Sequence, residues 1–251
     1  MFGIPIGTGL SKARWPRRCA ESALPKSYDT DFGADLTIME EANEFVRKTH
    51  EAYRALPLIT SCSPGWVKLL RVLLSGSCLL DNLSSCKSPH RCSAPFARPT
   101  LQRKSASIRR DIVQCLRHAV YAKKFEIHRP EIQDRQDYPD VDAALTTREL
   151  GRMIKMYGID FATICRMKAS IRICWANYSG AGVIFGASGG VMEAALRTVK
   201  EVLGDGKPLE NIDFLACRGT AGVKEAEVDD CRQPKVLDRS HVFHALCVNR
   251  C

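Results

Sequence analysis

Cys62 lies in the segment PLITSCSPGW, where a short apolar run meets a Ser-Pro pair. Pro57 to Thr60 reads as a buried strand, Ser63 as an N-cap and Pro64 as a first helical residue, with Trp66, Val67, Leu69 and Leu70 following. A thiol at a helix N-terminus meets the positive end of the dipole and free backbone N–H groups, which favour the thiolate. Such a sulfur suits a nucleophile, a metal ligand or a proton carrier; the alternative is an inert, half-buried cysteine. Glu41 and Glu44 stand three residues apart in MEEANE and share a helical face. A proton path needs that face turned inward, whereas an outward face pairs Glu44 with Lys48. The loop GASGG before a helix has backbone N–H groups to cradle an anion. It lacks the GxGxxG and GxxxxGK spacings, and a tight turn explains its glycines as well. Lys123 and Lys124 in AKKFE, taken alone, read as a basic surface pair.

The elements that must position these residues show in the apolar pattern. From Phe32 to Tyr53, Ile38, Ala42, Phe45 and Val46 recur at helical spacing. Val141 to Leu145 reads as a strand, Thr146-Thr147-Arg148-Glu149 as a capping box, and Gly158 as the stop of the helix it opens. Gly182 to Phe185 reads as a third strand, Val191 to Leu203 as a helix stopped by Gly204, and Ile212 to Cys217 as a fourth strand. Strands alternating with helices predict an α/β architecture with at least partly parallel sheet.

A chain of 251 residues with 45% apolar content buries a real core, as one domain or two small lobes, and is not disordered throughout. No apolar run reaches the length of a membrane span, and the start, MFGIPIGTGLSKARWPRR, predicts no secretory signal. The twelve cysteines include no CxxC pair and by themselves assign no function. The net charge of +9 is unevenly spread. Residues 1–27 carry +4, 87–124 carry +9 and 231–251 carry +3, leaving an acidic remainder of −7. The stretches 9–26, 90–117 and 231–251 are rich in Arg, Ser, Pro and Cys and keep neither helix nor strand period. They read as long surface loops or as a nucleic-acid arm. The second is disfavoured, because no aromatics interleave the basic residues as stacking platforms.

Seven segments together resemble one family. They are DTDFGADLTIMEEANEFV, PLITSCSPGW, LDNLSSCKSP, AKKFE, DVDAALTTRELGRMIK, YSGAGVIFGASGGVMEAALRTV and KPLENIDF. In order and rough spacing they look like the catalytic domain of iron-only ([FeFe]) hydrogenases, over 28–89 and 122–228. The resemblance implies one incomplete domain across 1–251, an α/β fold of two lobes of mixed or parallel sheet flanked by helices, truncated at both ends. It implies reversible reduction of protons to dihydrogen, a 4Fe-4S cluster linked to a diiron subsite, and electrons from ferredoxin or an electron-transfer subunit. The implied location is cytoplasmic, or hydrogenosomal in a eukaryote.

The family's signatures map onto this chain residue by residue. Thr60 to Trp66 resembles TSCCPxW, which puts Cys62 at the proton-carrying cysteine and Ser63 at a cubane ligand. Aligning AKKFE on MPCxxKxxE puts Lys123 at the position that contacts the diiron ligands, and His118, Ala119 and Val120 where Met, Pro and Cys belong. Nothing matches the cysteine-rich run that supplies the last two ligands. By position, Glu44, Ser84, Glu41 and Cys62 form the implied proton path. With these ligands missing, the expectation is that the chain does not hold the clusters and is inactive as written. The alternative is a non-catalytic hydrogenase-like protein serving iron–sulfur assembly. The basic stretches begin abruptly where family-like segments end, as out-of-frame translation would produce; genuine divergent loops are the other reading.

Overall fold

A computed structural model describes residues 29–51, 56–74, 78–94, 114–118, 120–130, 139–158, 178–187, 189–203, 215–216, 223–229 and 242–248. The basic stretch 9–26 and Gly204 lie outside these residues. In chain order the elements are α1 (Thr30–Glu51), α2 (Pro64–Leu73), β1 (Cys115–His118), α3 (Lys123–Glu126), β2 (Ala143–Thr146) and α4 (Thr147–Met156). There follow α5 (Gly180–Phe185), α6 (Gly190–Leu203), β3 (Leu215–Ala216), β4 (Val223–Asp229) and β5 (Val242–Val248). The chain forms two compact units, one of residues 1–30, 64–66 and 90–177, the other of 31–63, 67–89 and 178–251.

The first unit is built on a parallel pair, β1 with β2, in register from Cys115↔Ala143 to His118↔Thr146. Ala94, Leu116, Ile127, Val141 and Ala144 form its apolar core. The expected strand at Val141 to Leu145 is present as β2, and it runs straight into α4. Thr146 Oγ1 accepts from Glu149 N–H at 3.2 Å and Glu149 Oε2 accepts from Thr146 N–H at 2.8 Å, the reciprocal capping box read from spacing. Gly158 ends this segment at φ +68°, a backbone that favours glycine. The stretch 90–117 is not structureless: residues 89–94 are helical, Arg91, Cys92 and Ala94 are buried, and 115–118 are a strand.

In the second unit α1 buries Ala34, Ile38 and Ala42 on one face. The apolar run Pro57 to Thr60 forms a single parallel bridge, Ile59↔Leu83, rather than a strand. Ile59 N–H donates to Asn82 O at 2.9 Å and Ser84 N–H to Ile59 O at 2.7 Å. Residues 182–185, expected as a strand, lie in helix α5. A four-residue apolar run cannot distinguish strand from helix by period. Ser179 decides it: its hydroxyl accepts from Ala181 N–H at 3.1 Å, while its own N–H and hydroxyl donate to Asp35 at 2.6 and 2.7 Å. Gly182 then meets α1 so closely that a Cβ would stand 2.6 Å from the Asp31 carbonyl oxygen.

The strands β3, β4 and β5 make an antiparallel sheet in that order. Val223↔Val248 to Asp229↔Val242 sets the register of β4 with β5. Of the expected fourth strand, Leu215–Ala216 is a strand among the described residues. The strand β5 also corrects the expectation for 231–251, whose charge conceals VFHALCV, a run without Lys, Arg, Asp or Glu. Parallel and antiparallel pairing together make the mixed α/β class that the sequence predicts.

Candidate functional site

The helix α1 turns its acidic pair inward. Glu41 is 1% exposed and Glu44 8%, on the same face as Ile38 and Thr37. The Glu44 carboxylate accepts from the Ser84 hydroxyl at 2.6 Å and from Ser85 N–H at 3.2 Å to each oxygen. Lys48 Nζ stands 3.4 Å from Glu44 Oε1. The pairing with Lys48 read from sequence is therefore present alongside the inward orientation, not instead of it. A cavity of about 220 Å³, lined by Glu40, Asn43, Glu44, Arg47, Ser85 and Cys86, reaches the Glu44 side of this cluster.

The segment 82–88 is held where it can present Ser84. The bridge to Ile59 sets its register. Thr37 Oγ1 donates to Lys87 O at 3.2 Å and Ser61 Oγ to Cys86 O at 2.7 Å. Cys86 N–H donates to Ser84 Oγ at 3.1 Å, leaving the Ser84 proton to Glu44. Cys62 is half-buried, two residues ahead of the first residue of α2. Ser63 is the N-cap of α2 with extended backbone (φ −94°, ψ 105°), but its side chain makes no capping bond and is exposed. The structure thus brings Glu44 and Ser84 together and buries Glu41 three residues before Glu44 on α1.

Lys123 belongs to the first unit. It is not the surface group that AKKFE alone implied: it is 4% exposed, with its ammonium 2.7 Å from Glu126 Oε2. The alignment of AKKFE on MPCxxKxxE includes Glu126, but its pairing with Lys123 was not read from the sequence, although the three-residue spacing on a helix was its signal. Sequence reading also missed Arg91, whose guanidinium donates to the Glu126 carbonyl at 2.7 Å and to Asp140 Oδ2 at 3.0 Å. Lys124 is partly exposed and pairs with Glu149 at 2.6 Å. The Lys124 bond, with the Thr146 N–H, holds the Glu149 carboxyl down at about 2.

The model of the iron-only hydrogenase large subunit, C-terminal domain, matches residues 21–246. The chain belongs to this family. It is 41% identical over 204 residues to iron hydrogenase 1 of Clostridium pasteurianum, covering 81% of this chain and 34% of that one. It is 38% identical over 229 residues to the periplasmic [Fe] hydrogenase large subunit of Nitratidesulfovibrio vulgaris, covering 91% and 53%. An apo [FeFe]-hydrogenase structure from Chlamydomonas reinhardtii superposes with a TM-score of 0.68 at 34% identity, covering 86% of this chain and 54% of that one. The chain spans about a third to a half of the length of these curated relatives. A cytosolic Fe-S cluster assembly factor of Xenopus tropicalis is more distant, 26% identical over 199 residues.

Family and structural neighbours imply iron–sulfur and diiron cofactors. A cubane is held by thiolates, four in the usual case. Among the described residues no three His, Cys, Asp or Glu side chains are grouped to hold a metal ion. Serine stands at position 63 and His118-Ala119-Val120 at the second signature. The donor set of the described residues does not fit the cluster.

Proposed function

We propose that this chain is a segment of an iron-only hydrogenase catalytic domain that carries proton-handling residues and does not by itself turn over hydrogen. Glu44, Ser84, Glu41 and Cys62 are its proton path. The supporting observation is the 2.6 Å bond between the Ser84 hydroxyl and the Glu44 carboxylate, both buried. A hydroxyl that both donates and accepts can pass a proton on, and a carboxylate oxygen can accept one. Glu44 stands at the solvent end because it lines the cavity, and Glu41 lies deeper.

Ser63 and Lys123 occupy cofactor-facing positions by family alignment. In a complete domain the redox chemistry belongs to the cluster, and electrons come from ferredoxin or an electron-transfer subunit. The proposed location is the cytoplasm, or the hydrogenosome in a eukaryote. Among the described residues no helix is long and apolar enough to cross a membrane. The higher identity to hydrogenases than to the assembly factor favours this reading over an assembly role.

The test is reconstitution. Anaerobically expressed protein is supplied with iron, sulfide and a diiron precursor, then assayed for bound iron and hydrogen evolution. The expected result is no stoichiometric iron and no hydrogen above an iron-free control. Hydrogen above that control overturns the proposal.

A further inference from the structure

We infer that Ser61 is a positioning residue that sets the direction of the Ser84 hydroxyl, an inference that rests on the proton-path reading above. The chain of contacts runs from one segment to the other. Ser61 is 5% exposed and its hydroxyl donates to the Cys86 carbonyl at 2.7 Å. That bond fixes the backbone of Cys86, whose N–H donates to Ser84 Oγ at 3.1 Å. A serine hydroxyl has one proton to give. With a lone pair taken by Cys86 N–H, the proton of Ser84 goes to Glu44 Oε2 at 2.6 Å.

Ser61 therefore ties the residue next to Cys62 to the aim of a hydroxyl 23 positions later. The rest of the loop does not depend on it. Thr37 still holds the Lys87 carbonyl, Ser85 N–H still holds Glu44, and the Ile59↔Leu83 bridge still sets the register. Loss of the Ser61 hydroxyl leaves the segment in place and removes one tether from the Cys86 carbonyl, while the Cys86 thiol keeps its contact with the Thr37 carbonyl at 3.7 Å. The N–H that orients Ser84 is then held less firmly.

The readout is the carboxylate stretching band of Glu44 in the infrared spectrum of the full chain, identified by its disappearance in Glu44→Gln. Ser84→Ala defines where that band moves when the hydroxyl is gone. Ser61→Ala is expected to shift it toward the Ser84→Ala position and to speed hydrogen exchange of the Cys86 amide about tenfold, the exchange expected when a protecting bond opens locally. Ser61→Thr, which keeps the hydroxyl, is expected to restore the wild-type band. Circular dichroism checks that each variant is folded. If Ser61→Ala does not fold, Ser61→Cys, with a weaker donor of similar size, is read the same way. A band unmoved in Ser61→Ala but moved in Ser84→Ala overturns the role of Ser61 and leaves the proton path standing. A band unmoved in Ser84→Ala overturns both.

Discussion

Glu44 and Lys123 are buried ions that meet opposite ends of the same problem. A charge taken out of water is tolerated when hydrogen bonds or a counter-charge replace its hydration. Glu44 has Ser84, Ser85 N–H and Lys48. Lys123 has Glu126 at 2.7 Å. Replacing Glu126 with Gln removes the carboxylate that pairs with the buried Lys123 ammonium and should destabilise the first unit by about 3–5 kcal/mol, read by urea denaturation. Replacing both partners with Met and Leu should cost far less. Equal losses in the single and double variants would show that shape, not charge, matters there. Ser84→Ala should cost about 1.5–3 kcal/mol, the worth of a buried hydrogen bond to a charged group. Part of this site is legible in the sequence. The spacing of Glu41 and Glu44 places them on one face, but spacing also allowed the outward face, because Lys48 lies four residues on. Ser84 has no local signal at all: its partner is 40 residues away, and only the family segment LSSCKSP singles it out.

At the scale of elements, sequence and structure agree where a local bond decides and part where a distant one does. Thr146 and Glu149 close the N-terminus of α4 through bonds three residues apart, so the box is readable from four letters. The run Gly182 to Phe185 is helical because Ser179 is anchored to Asp35, 144 positions earlier. No window of sequence contains that. Thr146→Ala should lower stability by about 1 kcal/mol, the usual worth of an N-cap. The Glu149 carboxyl, held at about 2 by Lys124 and Thr146 against a usual 4.5, gives the same box a pH signature. A depressed carboxyl favours the folded state above the unfolded pKa and loses that contribution as pH falls through the folded value. Helicity of α4 should therefore weaken between about pH 4.5 and 2, and Glu149→Gln should flatten that part of the profile. An unchanged profile in the variant would remove Glu149 from the account.

For the whole molecule, the question is whether the basic stretches belong to the fold. Their composition argued for loops or for sequence read out of frame. Composition averages over a stretch, however, and burial acts on single residues. Arg91 shows the difference. It lies inside the stretch 90–117, is 1% exposed, and bonds the Glu126 carbonyl at 2.7 Å and Asp140 at 3.0 Å. A guanidinium that bridges two acceptors in a closed site needs both placed near its plane, and both partners come from segments outside the stretch. Leu116 in β1 joins the same core as Val141 and Ala144. Arg91→Ala should then remove a buried ion pair from Asp140 and cost about 3–5 kcal/mol. Hydrogen exchange read by mass spectrometry should show the β1 and β2 amides losing protection in this variant. Arg91→Lys should recover only part of it, since an ammonium cannot reach a carbonyl and a carboxylate in a fork. If Arg91→Ala leaves stability and β1–β2 protection unchanged, residues 90–117 are a passenger on the fold, as the out-of-frame reading expects.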